Sequence, residues 1–336
     1  MIGKSFSDRL SWQILGIVMV ISLVSQMVAA MVIADGSIRP WDWWRDSPEL
    51  LLYLNIIGLV SLVMLFFVSR SVINRMTRYS EELKATTAAK ERMESDLTMA
   101  RGIQHGMLRT EFPPFLYAML NPAKEVGGDL YDFGLKDDQL YFAIGDVSGK
   151  GVPASLVMAI TSAALHVVED MGLPMNETLS RVNANFSKTN TTGMFVTMFI
   201  ARLNLKTGHM DYCNAGHTPI LIIPPDAEPY LLKSKPNIAL GMIEKFSYEA
   251  EQMDFNPGTR IIAYTDGVTE AERKDLSQYG NERLLVWAKH DVETIPETSP
   301  NTSHEQSIVE SLYQSVRDFA DGNPQNDDIT IISICI

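Results

Sequence analysis

Two long apolar runs open the chain. No charged residue occurs from Leu10 to Ala34, and none from Leu50 to Ser69. Each run reaches the roughly 20 apolar residues needed to cross a hydrocarbon core. Both are apolar on nearly all faces, which a helix buried in a soluble domain rarely is. A cleaved leader is the competing reading of the first run. That run is long for a leader, and Val28-Ala-Ala30 is a weak cleavage site. The connection from Asp35 to Glu49 carries Trp41, Trp43 and Trp44, an expected interfacial belt. Lys4 and Arg9 precede the first run, and Arg70, Arg75 and Arg78 follow the second. Acidic residues dilute Arg39 and Arg45 in the loop, so both ends are expected in the cytoplasm. Residues 1–69 therefore read as a membrane anchor with two transmembrane helices, at 10–34 and 50–69.

The pattern then changes period. Arg70 to Thr110 has no proline and is rich in Glu, Lys, Ala, Met and Arg, which predicts a long helical linker over 70–110. Met93, Leu97, Ala100, Ile103 and Met107 recur at heptad-like spacing. They suit either a parallel dimeric stalk or a helix lying on its own domain. Pro113 and Pro114 end the helix.

The remainder, 111–336, reads as one domain. Short β-branched and aromatic runs predict strands at Leu140–Ile144, Val196–Leu203, His209–Cys213, Pro219–Ile223, Tyr248–Asp254, Arg260–Tyr264 and Ile329–Ile336. Helices are expected at Val152–Asp170, with Leu156, Val157, Ile160, Ala164 and Val167 on its apolar face, and at Met175–Lys188. A late helix is marked by Ile308, Leu312, Val316 and Phe319. Strands arriving in series favour antiparallel sheets with helices outside, an α+β layered fold.

Composition narrows the function. The chain has 336 residues, 28 basic against 41 acidic, and a net charge of −13. A protein that binds nucleic acid by neutralising phosphates is not expected. Two cysteines, Cys213 and Cys335, exclude a disulfide framework and a cysteine-zinc cluster.

Four acidic clusters stand at expected strand ends. They are Val126-Gly-Gly-Asp129 with Asp132, Gly145-Asp146-Val-Ser-Gly149, Thr265-Asp266-Gly267 and Asn326-Asp327-Asp328. Each by itself is an ordinary turn signal. If the strands end together, the carboxylates repel one another and call for cations between them. Hard oxygen donors suit Mg²⁺ or Mn²⁺, and a pair of such ions activates water for attack on phosphorus. Gly149-Lys150-Gly151 lacks the spacing of a phosphate loop. His217, in Asn214-Ala-Gly-His217, suits a general acid or a turn cap.

Five motifs in order carry a family resemblance: Ala123-Lys-Glu-Val-Gly-Gly-Asp-Leu-Tyr-Asp132, Gly145-Asp-Val-Ser-Gly-Lys-Gly-Val-Pro-Ala154, Asn214-Ala-Gly-His217, Tyr264-Thr-Asp-Gly-Val-Thr-Glu270 and Asp327-Asp-Ile-Thr330. From about Arg101 to Ile336 the chain resembles the bacterial PPM-type serine/threonine phosphatases of the SpoIIE/RsbU group. The resemblance implies a four-layer αββα sandwich with two divalent cations, Mn²⁺ or Mg²⁺, in a cleft at one end of the sheets. It implies that Asp146 bridges both, that the Val147 main-chain carbonyl binds one, that Asp129 serves the first and that Asp266 and Asp327 complete the second. Eukaryotic relatives grip phosphate with an arginine five residues before that first aspartate. Here the position is Lys124, a point charge rather than a fork. Asp132 and Asp328 are expected to be supporting or structural. The implied substrate is a phosphoprotein of the STAS-domain type, in a partner-switching pathway. The expectation is thus a membrane-anchored phosphatase of the bacterial inner membrane, its catalytic domain cytoplasmic, dimeric through the linker. A silent scaffold of the same fold and a two-metal enzyme for small phosphorylated molecules are the competing readings.

Overall fold

The computed structural model describes residues 48–336 apart from 170, 192, 291 and 295–302, together with helical positions at 16, 19–24, 26 and 27. Most of the first apolar run and the tryptophan-bearing connection lie outside the described residues. The contacts divide the chain into two units, Met1–Glu94 and Ser95–Ile336.

The second apolar run and the linker form one helix, α1 (Pro48–Met107). Pro48 stands at its first position, where a missing N–H costs nothing. Its segment from Asn55 on includes a stretch long and apolar enough to cross a membrane. Leu52, Ile56, Val60, Val63 and Phe67 are exposed along that stretch. The last turns of α1 belong to the second unit. There the Gln104 amide donates to the Gly127 carbonyl at 2.7 Å and accepts from the Gly127 N–H at 3.2 Å. Leu108 closes onto the core.

The second unit contains two antiparallel sheets. One comprises β1 (Leu116–Asn121), β6 (Leu221–Ile223), β7 (Tyr230–Leu231), β9 (Arg260–Tyr264) and β10 (Ile329–Cys335), in the order β1-β10-β9-β6-β7. The other comprises β2 (Leu130–Lys136), β3 (Gln139–Val147), β4 (Val196–Asn204), β5 (His209–Ala215) and β8 (Glu251–Asp254), in that order. The strands expected from the sequence are present, some shorter. β1, β2 and the two-residue β7 are additional.

Period-two alternation sorts each strand of the first sheet between two cores. Leu116, Ala118, Ile261, Ala263, Ile332 and Ile334 face the second sheet and pack with Phe142, Ile144 and Phe199. Ile262, Tyr264, Ile329 and Ile331 face outward to Leu284, Trp287, Ile308 and Leu312. Those residues come from α5 (Gly280–His290) and α6 (His304–Ala320). Ser303 caps α6, its hydroxyl accepting from the Gln306 N–H at 3.2 Å.

The outer face of the second sheet carries α2 (Val152–Glu169) and α3 (Met175–Thr189). Here the expected apolar face of α2 is corrected. Ala154, Met158, Leu165 and Val168 are buried, whereas Leu156, Ile160 and Val167 are exposed. The helix is apolar on both sides, so its periodicity does not choose which side meets the sheet. The order of layers is helix, sheet, sheet, helix.

Candidate active site

Strand register brings the acidic motifs together. In the β2–β3 ladder Leu130 pairs with Gly145, which sets Asp129, just before β2, beside Asp146, the last residue but one of β3 and still paired with Thr197 of β4. In the β9–β10 ladder Tyr264 pairs with Ile331, and the Thr265 N–H donates to the Thr330 carbonyl at 3.1 Å. Asp266 opens the short helix α4 (Asp266–Thr269) after β9, and Asp327 lies two residues before β10. Each sheet thus contributes two of these aspartates from its neighbouring strand ends.

Hydrogen bonds stitch the two sheets together at this end. The hydroxyls of Thr265 and Thr330, from the first sheet, both donate to Asp129 Oδ2, at 2.8 and 2.6 Å. Asp328 reaches back the other way, accepting from the Ala123 N–H and the Gly128 N–H, each at 2.7 Å. A Cβ on Gly127 would lie 2.3 Å from Asp328 Oδ2, so a side chain there would displace this carboxylate. A Cβ on Gly128 would sit 3.0 Å from the Val147 carbonyl oxygen.

The electrostatics are those of crowded anions. Burial, then Asp146 and Asp328, hold Asp129 well above the usual carboxylate range, although two threonine hydroxyls pull the other way. Asp146 is pushed up to about 8 by burial and by Asp266, Asp327 and Asp328. Asp266 is raised to about 6 by burial and by Asp327 and Glu270, with Lys150 opposing. Such groups bind either protons or cations.

Lys150 supplies one cation. Its Nζ lies 2.8 Å from Asp327 Oδ2 and donates to the Asn326 carbonyl. Burial lowers its pKa, but the bond to Asp327 and the charges of Asp327, Asp328 and Asp266 outweigh that and raise it. Lys124 is exposed at the same mouth, its Cδ 3.9 Å from where a Cβ of Gly151 would stand. The donor set of Asp129, Asp146, Asp266, Asp327 and the Val147 carbonyl is all hard oxygen, which fits Mg²⁺ or Mn²⁺. As they stand, no three carboxylate, histidine or cysteine side chains among the described residues close into a cage.

Two residues take other roles. His217 is buried, and burial lowers its pKa to about 4. Its Nε2 lies 3.1 Å from the Tyr264 carbonyl and its Nδ1 3.0 Å from the Thr197 hydroxyl. Because the carbonyl can only accept, Nε2 carries the proton and Nδ1 accepts from Thr197. The ring therefore ties the two sheets, while the Asn214 amide closes the turn, accepting from the His217 N–H at 2.7 Å and donating to the His217 carbonyl at 3.1 Å. Asp132 lies away from the cluster, where it accepts from Arg109 Nε at 2.9 Å and faces His166 Nε2 at 2.9 Å. The threonines and Lys150 were not singled out as site residues from sequence. Their positions inside the Thr265-Asp266 and Asp327-Asp-Ile-Thr330 motifs, and between two glycines, were the available signals.

Two facing antiparallel sheets, covered by helices and converging on buried and half-buried aspartates, define a PP2C-type phosphatase domain. The profile described as Stage II sporulation protein E (SpoIIE) matches residues 136–336, and the chain belongs to that family. It is 30% identical over 271 residues to Protein IcfG of Synechocystis sp., covering 71% of this chain and 41% of that protein. It is 27% identical over 264 residues to phosphoserine phosphatase RsbU of Bacillus subtilis, covering 75% of this chain and 73% of the relative. Among solved structures, the SiaA-PP2C domain of Pseudomonas aeruginosa superposes with a TM-score of 0.62 at 20% identity, over 74% of this chain and 99% of that domain, a likeness of fold.

Proposed function

We propose that this chain is a membrane-anchored, metal-dependent phosphoserine/phosphothreonine protein phosphatase. The carrying observation is the cluster itself: carboxylates from both sheets converge until burial and mutual repulsion hold Asp146 near 8 and Asp266 near 6. Two divalent cations, Mn²⁺ or Mg²⁺, are the natural partners. Asp146 would be shared between them, Asp129 and the Val147 carbonyl would serve one, and Asp266 and Asp327 the other. Bound there, the metals supply an activated water and charge stabilisation for hydrolysis of a phosphomonoester.

The protein's own residues do the positioning. Thr265 and Thr330 fix the orientation of Asp129 through Oδ2. Asp328 holds the Gly127–Gly128 turn against the first sheet through its two backbone acceptances. Lys124 and Lys150 put positive charge at the mouth, where a phosphate arrives. A STAS-domain phosphoprotein is the proposed substrate, from the group resemblance; the name of the RsbU relative, a phosphoserine phosphatase, supports a phosphoserine substrate and no more. The exposed apolar stretch of α1 supports a membrane anchor, and Arg70, Arg75 and Arg78 after it support a cytoplasmic catalytic unit. The seam from Met93 to Met107 supports a dimeric linker.

The test is release of phosphate from phosphoserine proteins by the purified chain, with Mn²⁺ and with chelator. Release should require the metal and fall at least a hundredfold in Asp327→Asn, a loss of ~2.7 kcal/mol in transition-state stabilisation. Metal-independent release, or full activity of the variant, would sink the assignment.

A further inference from the structure

The seat of Lys150 has a consequence for metal binding. Both oxygens of Asp327 are engaged: Oδ1 accepts from the Asp328 N–H at 3.0 Å, and Oδ2 faces the Lys150 ammonium at 2.8 Å. The backbone bond to Oδ1 orients the carboxylate. Oδ2 is the oxygen not tied to the backbone, and the ammonium holds it. The same positive charge bears on Asp266. Asp266 and Asp327 are the two residues assigned to the second cation.

The loop is built to let the lysine leave. Gly149 and Gly151 flank it with φ of 94° and 76°, conformations that favour glycine. The base of the loop is held independently, since Ser148 and Phe195 exchange two hydrogen bonds of 2.9 Å each. Release of the Lys150 side chain from Asp327 therefore breaks none of the bonds that hold the loop base beside Asp146 and Val147. Its side chain is 40% exposed, so the released ammonium stays in reach of solvent and of an anion at the mouth.

We propose that Lys150 is a tethered competitor of the second divalent cation, seated on Asp327 until metal displaces it and then free to meet the phosphate oxyanion. This rests on reading the carboxylates as a metal centre. Two linked effects follow. Metal binding is weakened by the bond it must break, and phosphate, by holding the released ammonium, tightens metal binding in turn.

The experiment is Mn²⁺ titration by calorimetry on the purified full-length chain in detergent, with and without inorganic phosphate, for wild type and Lys150→Met. A half-exposed ion pair is a modest competitor, so the variant should bind Mn²⁺ about two- to fivefold more tightly without phosphate. Phosphate should tighten Mn²⁺ on the wild type and lose most of that effect on the variant. A gain in affinity is not what a damaged fold produces. Unchanged or weaker Mn²⁺ binding in Lys150→Met, while the wild type binds normally, overturns the competitor role alone. A wild type that binds no Mn²⁺ overturns the metal-centre reading and this proposal with it.

Discussion

Replacing Asp146 by asparagine should stabilise the metal-free domain, and the size follows from its surroundings. Burial and three neighbouring aspartates hold the Asp146 carboxyl at about 8 in the folded protein. In the unfolded chain it returns to about 3.9. The folded state therefore keeps a proton that the unfolded state releases between those values. Stability from this group is complete below pH ~4 and is lost as pH rises through about 8, at up to ~1.4 kcal/mol per pH unit. By pH 7.5 that amounts to at most ~5 kcal/mol if assigned to this carboxyl by itself. Asp129 and Asp266 share the same repulsion, and asparagine alters the contact with Asp129, so a net gain of ~1–3 kcal/mol is expected. For a unit of this size that is about 3–10 °C in Tm. The assay is thermal unfolding of residues 95–336 in chelator between pH 5 and 8. Wild type should lose stability across the range and the variant should lose less. Saturating Mn²⁺, about a hundredfold above its Kd, should add ~2.7 kcal/mol to wild type and far less to the variant. A variant less stable than wild type at pH 7.5, with the same pH slope, would refute the crowded-anion account.

Two further outcomes follow. Arg109→Ala removes the guanidinium at 2.9 Å from the buried Asp132 and 3.6 Å from Glu169, and thermal unfolding should show a loss of ~2 kcal/mol, partly restored by Arg109→Lys. A change under ~0.5 kcal/mol would make that junction an ordinary surface pair. For the anchor, reporter fusions after Ile336 and near Gly36 should lie on opposite sides of a membrane, and finding both on one side would remove the two-span arrangement.

Much of this was readable without coordinates, for physical reasons that differ by region. The late helix is amphipathic with one apolar stripe, and Ile308, Leu312, Val316 and Phe319 are all buried. Strands β3, β4 and β9 are dense in β-branched and aromatic residues, which leaves little choice of element. The acidic motifs were visible because acidic clusters at four strand ends, three of them beside glycines, are more than turn chemistry requires. β1 escaped because Leu116–Asn121 has neither clear alternation nor β-branched residues, and becomes a strand through six register pairs with β10.

What remained was decided by tertiary contacts. Helix α2 offers apolar side chains on both sides, and the sheet selected the Met158–Leu165 side while leaving Leu156 and Ile160 outside. Whether His217 faces substrate or bridges sheets depends on residues 20 and 47 positions away, Thr197 and Tyr264. Asp328 and Asp327 are adjacent in sequence, yet one anchors the Gly127–Gly128 turn and the other holds a lysine. Local pattern determined which residues form strands, helices and acidic ends. The pairing of strands far apart in the chain determined which of those acids share one volume, because charge repulsion and hydrogen bonding depend on distance in space and not on spacing along the chain.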